Sequence, residues 1–324
     1  MQRRTFLQAG GALALGSLFT GARGAEAGAV RITLPSPGSA GSAWQPLIDN
    51  LSLNQGPGLD LKWVTADPGK MQVQLSAGSL DVGVFGAVGL ATLANRGSDI
   101  VLFGPALNNH GRWIVRGDSG FRDPKELIGK TIATTAETSE TYLQARIAAA
   151  LNGIDLKKDI KVIHGSPTAN LALFERGDVD AIITLEPTAT RLVGRGAREI
   201  ARVADLWRQA TGTDDDPFLV GLAASRGWFD ANRETARRLA ALFERLGRAV
   251  QDDPGRLRSI ATSLGLRESE DEAIALLPER LAPAYATRWD DGVFAAIDKQ
   301  VQVAAELGLL DRVPDRPLYV SVNA

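Results

Sequence analysis

The 324-residue chain has no cysteine and only two histidines. Without Cys it has no disulfide, no thiol nucleophile and no N-terminal Cys to carry a lipid anchor, so it must hold together through its hydrophobic cores. His110 and His164 are scattered, neither suffices as a metal ligand alone, and no Ser-His-Asp arrangement can be assembled around them. Basic residues do not exceed acidic ones (36 against 38), which removes the positive face that nucleic-acid binding needs. A membrane-length apolar run is also missing. The one candidate, the Gly/Ala-rich stretch ending at Thr20, is too short to span a bilayer.

That stretch has another meaning. Arg3-Arg4 followed by Thr5-Phe6-Leu7, and Ala25-Glu26-Ala27 closing on a small-x-small pattern, read as a twin-arginine export signal cleaved near Ala27. Loss of Arg3, Arg4, Arg23 and Glu26 takes the net charge from −2 to −4. Residues 28–324 are enough for two lobes with separate cores, and the expectation is a freely soluble exported protein.

An internal repeat organises the remainder. Pro68, Gly78, Asp81, Leu93, Arg96 and Gly97 recur as Pro167, Gly177, Asp180, Leu192, Arg195 and Gly196, all at an offset of 99. Most of these residues are punctuation: Pro opens a helical run, Gly closes it, Asp leads a short apolar strand and Arg-Gly ends the next helix. Each copy reads strand–helix–strand–helix, which implies parallel sheets and two lobes facing one cleft. Strands are expected at 30–36, 59–65, 81–85, 100–107, 112–116, 130–135, 160–163, 180–184, 199–204 and 218–224. Helices fill most of the intervals, and the chain from Asp230 onward is helical and wraps lobe 1. The boundaries place lobe 1 at 28–106 and 218–324 and lobe 2 at 107–217.

This order of elements resembles type II periplasmic solute-binding proteins, an α/β fold whose two lobes each hold a mostly parallel sheet flanked by helices. Leu75-Ser-Ala-Gly78-Ser-Leu-Asp81-Val-Gly-Val-Phe85-Gly86 and Leu173-Phe-Glu-Arg-Gly177-Asp-Val-Asp180-Ala-Ile-Ile-Thr-Leu-Glu186-Pro187 are similar to the nitrate/sulfonate/taurine class, which includes receptors for thiamine-pyrimidine precursors. The resemblance implies a monomeric periplasmic receptor, without cofactor, that hands a small solute to an ABC-type permease. Enzymes of the wider superfamily use a Cys-rich loop and a reactive His. This chain departs from that pattern.

Ligands of open parallel sheets sit beyond the strands' carboxyl ends, near helix N-termini. That places Ser36, Gly38, Ser39, Ser42, Phe85 and Gly86 in lobe 1, and Thr135, Glu137, Thr138, Ser139 and Glu186 in lobe 2. Asn108, Asn109 and His110 lie at the crossing. By resemblance, the loops at Gly38-Ser39, Phe85-Gly86 and Thr135 to Ser139 fall where the family's ligand contacts lie. Thr134-x-x-Glu137 also fits a capping box, Ser39 and Ser42 fit caps, and Phe85 fits a core position as well as a cleft wall. Asp81 and Asp180 head strands away from the cleft and read as structural. Glu137, Glu140 and Glu186 would repel an anion unless they turn away or pair, with Arg112 a possible counter-charge. A neutral or amine-bearing solute, aromatic if Phe85 and Trp44 line the cleft, is equally compatible. Two competing readings are a solute sensor feeding a membrane signalling protein and an exported enzyme pairing Glu137 with Glu186 as acid and base. A cation site at Asp214 to Asp216 ranks last, because it lacks the alternate spacing of a calcium loop.

Overall fold

A computed structural model describes residues 29–54, 59–66, 68–214 and 217–322. The segment read as an export signal, 1–27, and Asp215 and Asp216 fall outside the described residues. The chain begins with β1 (Val30–Leu34), a 3-10 turn at Ala40–Ala43 and α1 (Trp44–Asn50). It continues through β2 (Leu61–Thr65), α2 (Pro68–Ser76), β3 (Gly83–Phe85), α3 (Ala87–Asn95) and β4 (Ile100–Asn108). The second half of the repeat comprises β5 (Gly111–Val115), β6 (Thr131–Thr134), α4 (Glu140–Leu151), β7 (Lys161–His164) and α5 (Pro167–Arg176). It closes with β8 (Ala181–Leu185), α6 (Thr188–Gly194), β9 (Arg198–Arg202) and α7 (Val203–Thr211). Then follow β10 (Phe218–Ser225), α8 (Arg226–Ala231), α9 (Arg233–Asp252), α10 (Arg256–Ser259), α11 (Asp271–Leu281) and α12 (Asp291–Glu306).

Two sheets of like design result. In lobe 2 the order is β7-β6-β8-β5-β9, with β5 antiparallel to both neighbours and β6 parallel to β7 and β8. In lobe 1, β1 pairs with β2 in parallel, and β10 runs antiparallel between β3 and β4. A parallel bridge from Ile32 to Val82 joins the two parts into the order β2-β1-β3-β10-β4. In each lobe four strands point one way, and the reversed fifth strand is the one that enters as the chain crosses between sheets.

The repeat is legible in the hydrogen bonds. The Asp81 carboxylate accepts from the Arg31 N–H at 2.8 Å while its own N–H donates to the Arg31 carbonyl at 2.9 Å. Asp180 does the same with Thr131, at 2.9 and 2.8 Å. Each Asp therefore satisfies a backbone donor at the amino end of its lobe's first parallel strand. Gly78 (φ +66°) and Gly177 (φ +80°) follow α2 and α5 in the left-handed conformation that ends a helix at least cost in Gly.

Apolar residues on both faces of each sheet form the cores. The long helix α9 shows why: Ala236, Leu239, Ala240, Phe243, Leu246 and Val250 recur at helical spacing and are buried, while its arginines stay in water. Two features differ from the sequence reading. A helix, α7, follows β9 where only strand and loop were expected, and it buries Val203, Ala204 and Trp207 on one face. The C-terminal helices also do more than wrap lobe 1, because α11 packs against α6 of lobe 2. A β-carbon at Gly194 of α6 would lie 2.7 Å from the backbone nitrogen of Ala273 in α11.

Candidate functional site: the interlobe cleft

The chain after β3 meets the helix after β6, where Glu140 lies against Gly86, and the helix after β8 reaches lobe 1 where Arg191 donates to the Gly265 carbonyl, so the loops that follow these strands edge the space between the lobes. On lobe 1 the 36–42 loop is tied down by its own hydroxyls. Ser39 donates to the Ser36 carbonyl at 3.2 Å, and the buried Ser42 donates to the carbonyls of Ser39 and Ser263 at 2.7 and 2.8 Å. Neither serine side chain caps a helix N–H. Gly38 holds φ +97° with open space where a β-carbon would sit. Beside this loop lies a groove of about 440 Å³ lined by Pro35, Pro37, Ser42, Gln45, Asp49 and Thr65. Gln45 and Asp49 share one face of α1 at i, i+4 spacing, and a reading confined to the loops did not include them. A second depression, about 370 Å³, lies at the amino end of the same sheet around Arg31 and Asp81, away from the cleft.

The aromatic wall expected from Phe85 and Trp44 does not form. Trp44 is 1% exposed and meets Phe243 edge-on at 5.3 Å inside lobe 1, and Phe85 is buried in the second core of that lobe. Their bulk is worth more to burial than to a solvated cleft.

On lobe 2, Ser139 caps α4 by accepting from the Tyr142 N–H at 3.3 Å, and it meets the Thr135 hydroxyl at 2.5 Å. The capping box expected at Thr134 and Glu137 is not formed, because α4 takes Ser139 as its N-cap, five residues later than the pattern implied. Glu137 and Thr138 are exposed, and Glu137 pairs with Lys157, which holds its carboxyl below the usual range. The exposed His164 contacts the Thr135 carbonyl at 2.7 Å through Nδ1.

Glu186, expected as a cleft ligand, lies inside an ion-pair cluster. It is fully buried, with Arg112 at 3.1 Å, Arg280 at 2.9 Å, and the Thr190 N–H and hydroxyl at 2.8 and 2.5 Å. Glu199 completes the cluster, at 2.5 Å from Arg280 and 3.6 Å from Arg112. Burial alone would push Glu199 up, but Arg112, Arg202 and Arg280 outweigh it and hold the carboxyl down. Two carboxylates thus meet the two buried guanidiniums of Arg112 and Arg280, with the more exposed Arg202 at 2.9 Å from Glu199, and Arg280 comes from α11, so the cluster joins the lobes. Arg112 is spent here and is no free counter-charge for a solute. The same burial removes Glu186 from any acid–base pair with the exposed Glu137.

At the crossing, Asn108 donates to the Pro283 carbonyl at 3.2 Å, and the buried Asn109 accepts from the Gly111 N–H at 2.9 Å. His110 is 2% exposed, and its Nδ1–H donates to the Asn108 carbonyl at 2.8 Å. Burial lowers its pKa to about 4, helped by Arg112 and opposed by that carbonyl. All three residues brace the turn between lobes.

Glu140 was noted only as a charge. Its side chain crosses from lobe 2 to the first turn of α3 in lobe 1, where it accepts from the Val88 N–H at 3.4 Å and the Gly89 N–H at 3.1 Å. It lies directly against Gly86, where a β-carbon would collide with the carboxyl group. Burial pushes this carboxyl up, against the pull of its donors on Gln144, Gly89 and Val88. Among the described residues no group of three or more Asp, Glu, His or Cys gathers in a way that could hold a metal ion.

Comparison with known proteins extends these observations. A 171-residue segment is 28% identical to the taurine-binding periplasmic protein of Escherichia coli K12, and this chain spans about half of that relative's length (52% of each chain). The alkanesulfonate-binding protein SsuA from Xanthomonas axonopodis pv. citri, bound to MOPS, superposes with a TM-score of 0.73 at 20% identity, covering 92% of this chain and 99% of that one. The aliphatic sulphonate-binding SsuA of Escherichia coli gives 0.70 at 20% identity, covering 90% and 94%. At such identities the superpositions establish the fold, that of two-lobed periplasmic binding proteins. The NMT1-like family model matches residues 42–265, well over half of the sequence, and the chain belongs to the NMT1-like family.

Proposed function

We propose that this chain is a periplasmic receptor that binds a small solute between its lobes and delivers it, chemically unchanged, to an ABC-type permease. The observation that carries this reading is the pair of like-ordered sheets, β2-β1-β3-β10-β4 and β7-β6-β8-β5-β9, with Glu140 of the helix after β6 reaching the start of the helix after β3. A solute touching both lobes makes contacts that the open form lacks, and this differential affinity drives closure and docking. The lobes are 28–106 with 218–324, and 107–217. Export follows the twin-arginine route with cleavage near Ala27, and the mature protein acts as a monomer. Cleft contacts come from Gly38, Ser39, Thr135 and Thr138 together with Gln45 and Asp49 at the groove.

The names of the relatives put taurine and alkanesulfonates first among solutes to test. The experiment is a thermal-shift screen of residues 28–324 against sulfonates, nitrate, aromatic carboxylates, amines and pyrimidines. Each hit is then recovered and analysed chemically. A ligand that binds only the folded state raises Tm in proportion to the logarithm of its concentration over Kd. A hit recovered unchanged supports the receptor. A hit recovered as product, or no shift with any class, overturns it.

A further inference from the structure

We infer that Glu140 is a specificity-determining residue: it places the chain's own carboxylate on the first turn of α3 and so turns anionic solutes away from that end of the cleft. The inference rests on the receptor reading and refines it toward a solute that presents a cation or a hydrogen-bond donor there.

Three observations carry it. First, α3 has no side-chain cap of its own, since Gly86 stands at its N-cap, and the donors of its first turn at Val88 and Gly89 are met by the two oxygens of Glu140. Those N–H groups are what an incoming anion would need. The missing side chain at Gly86 is what lets the carboxylate come so close.

Second, Glu140 is held from behind. Gln144 donates to its Oε1 at 2.9 Å and to Gln300 of α12 at 2.9 Å, and Gln300 donates to the Phe218 carbonyl at 2.8 Å. Gln144 and Gln300 are 2% and 0% exposed. A buried polar relay thus runs from α3 through lobe 2 to the strand on which the chain returns to lobe 1. Buried polar groups persist in such places only when they are satisfied, and these donors point the carboxylate at α3.

Third, Glu140 heads the lobe 1-facing stripe of α4. Leu143, Ile147 and Leu151 pack with the second core of lobe 1, while Tyr142, Ala145 and Ala149 on the opposite face belong to lobe 2. Displacing Glu140 therefore means breaking a lobe–lobe contact as well as separating charge from a helix terminus. The carboxylate accepts three hydrogen bonds and has lone-pair capacity for a fourth, which suits an ammonium or hydroxyl on the solute.

The test uses the mature chain and its Glu140→Ala and Glu140→Gln variants, with methanesulfonate and ethylammonium as probes in calorimetric titrations. Amide hydrogen exchange at Val88 and Gly89 is read in parallel. In Glu140→Ala, exchange at these two amides should accelerate, and methanesulfonate affinity should rise by about tenfold or more, the scale of a charge-assisted hydrogen bond regained. Ethylammonium binding should weaken in both variants, and Glu140→Gln, which keeps the shape and loses the charge, should fall between Ala and wild type for the sulfonate. Unchanged exchange at Val88 and Gly89, or methanesulfonate binding to wild type as tightly as to Glu140→Ala, overturns the inference. Both readouts compare variants with wild type. They therefore decide the role of Glu140 separately from the wild-type solute screen that decides whether the chain is a receptor.

Discussion

His110 makes the folded protein sensitive to mild acid. Its ring is 2% exposed, and its pKa is lowered from 6.5 to about 4 by burial. Unfolding returns the imidazole to water and to its ordinary pKa. Between those two values the unfolded chain binds a proton that the folded chain refuses, so stability falls as pH drops through 6.5 and the loss levels off below about 4. At pH 5 the two binding curves differ by about 2 kcal/mol, and the full separation corresponds to roughly 3 kcal/mol. The assay is urea unfolding followed by Trp fluorescence at pH 7.5 and pH 5, for wild type and His110→Gln. Gln keeps a donor for the Asn108 carbonyl and does not titrate. Wild type should lose about 2 kcal/mol more than the variant over this interval, after carboxylate contributions common to both cancel. Parallel losses in the two proteins, or an NMR titration that finds the His110 imidazole protonating near 6.5, would refute the reasoning.

Other consequences of the structure can be measured in the same way. Glu186→Gln leaves Arg112 and Arg280 buried with only Glu199 to balance them, and should cost about 3 kcal/mol in urea unfolding, the scale of a broken buried pair. Asp180→Ala removes the acceptor of the Thr131 N–H and should cost about 1–2 kcal/mol. Asp81→Ala should cost at least as much, since it loses the same backbone contact and also the hydrogen bonds from the Arg31 guanidinium. Gly194→Leu forces α6 away from the backbone of α11 and should cost about 1–3 kcal/mol, with faster proteolysis between the lobes as a second readout.

Much of the architecture was legible in the residue order because punctuation is local chemistry. A Pro that starts a helix, a Gly that takes positive φ after it and an Asp that receives a strand's first N–H act within a few residues or one strand pairing, and they recur at a fixed offset. The helix α7 escaped notice because Val203 and Ala204 extend a strand-like run. Only Trp207, three residues further on, marks the helical face.

The site was less legible. Choosing the carboxyl-end loops was possible from the residue order, since strand direction follows from the α/β alternation. It could not tell which polar residues remain available there. Glu186 and Glu137 look alike in sequence, yet one is sealed among Arg112, Arg280 and Thr190 and the other stands in water beside Lys157. Arg280 lies 94 positions from Glu186 in the numbering, and nothing local announces their meeting. Glu140 likewise gains its meaning from α3, a helix of the other lobe. The sequence determined the duplicated unit and the order of strands, because those rest on short-range periodicity and capping. Only the tertiary structure decided which charges are neutralised and which stand in water, because pairing and burial depend on distances between segments that the chain brings together last.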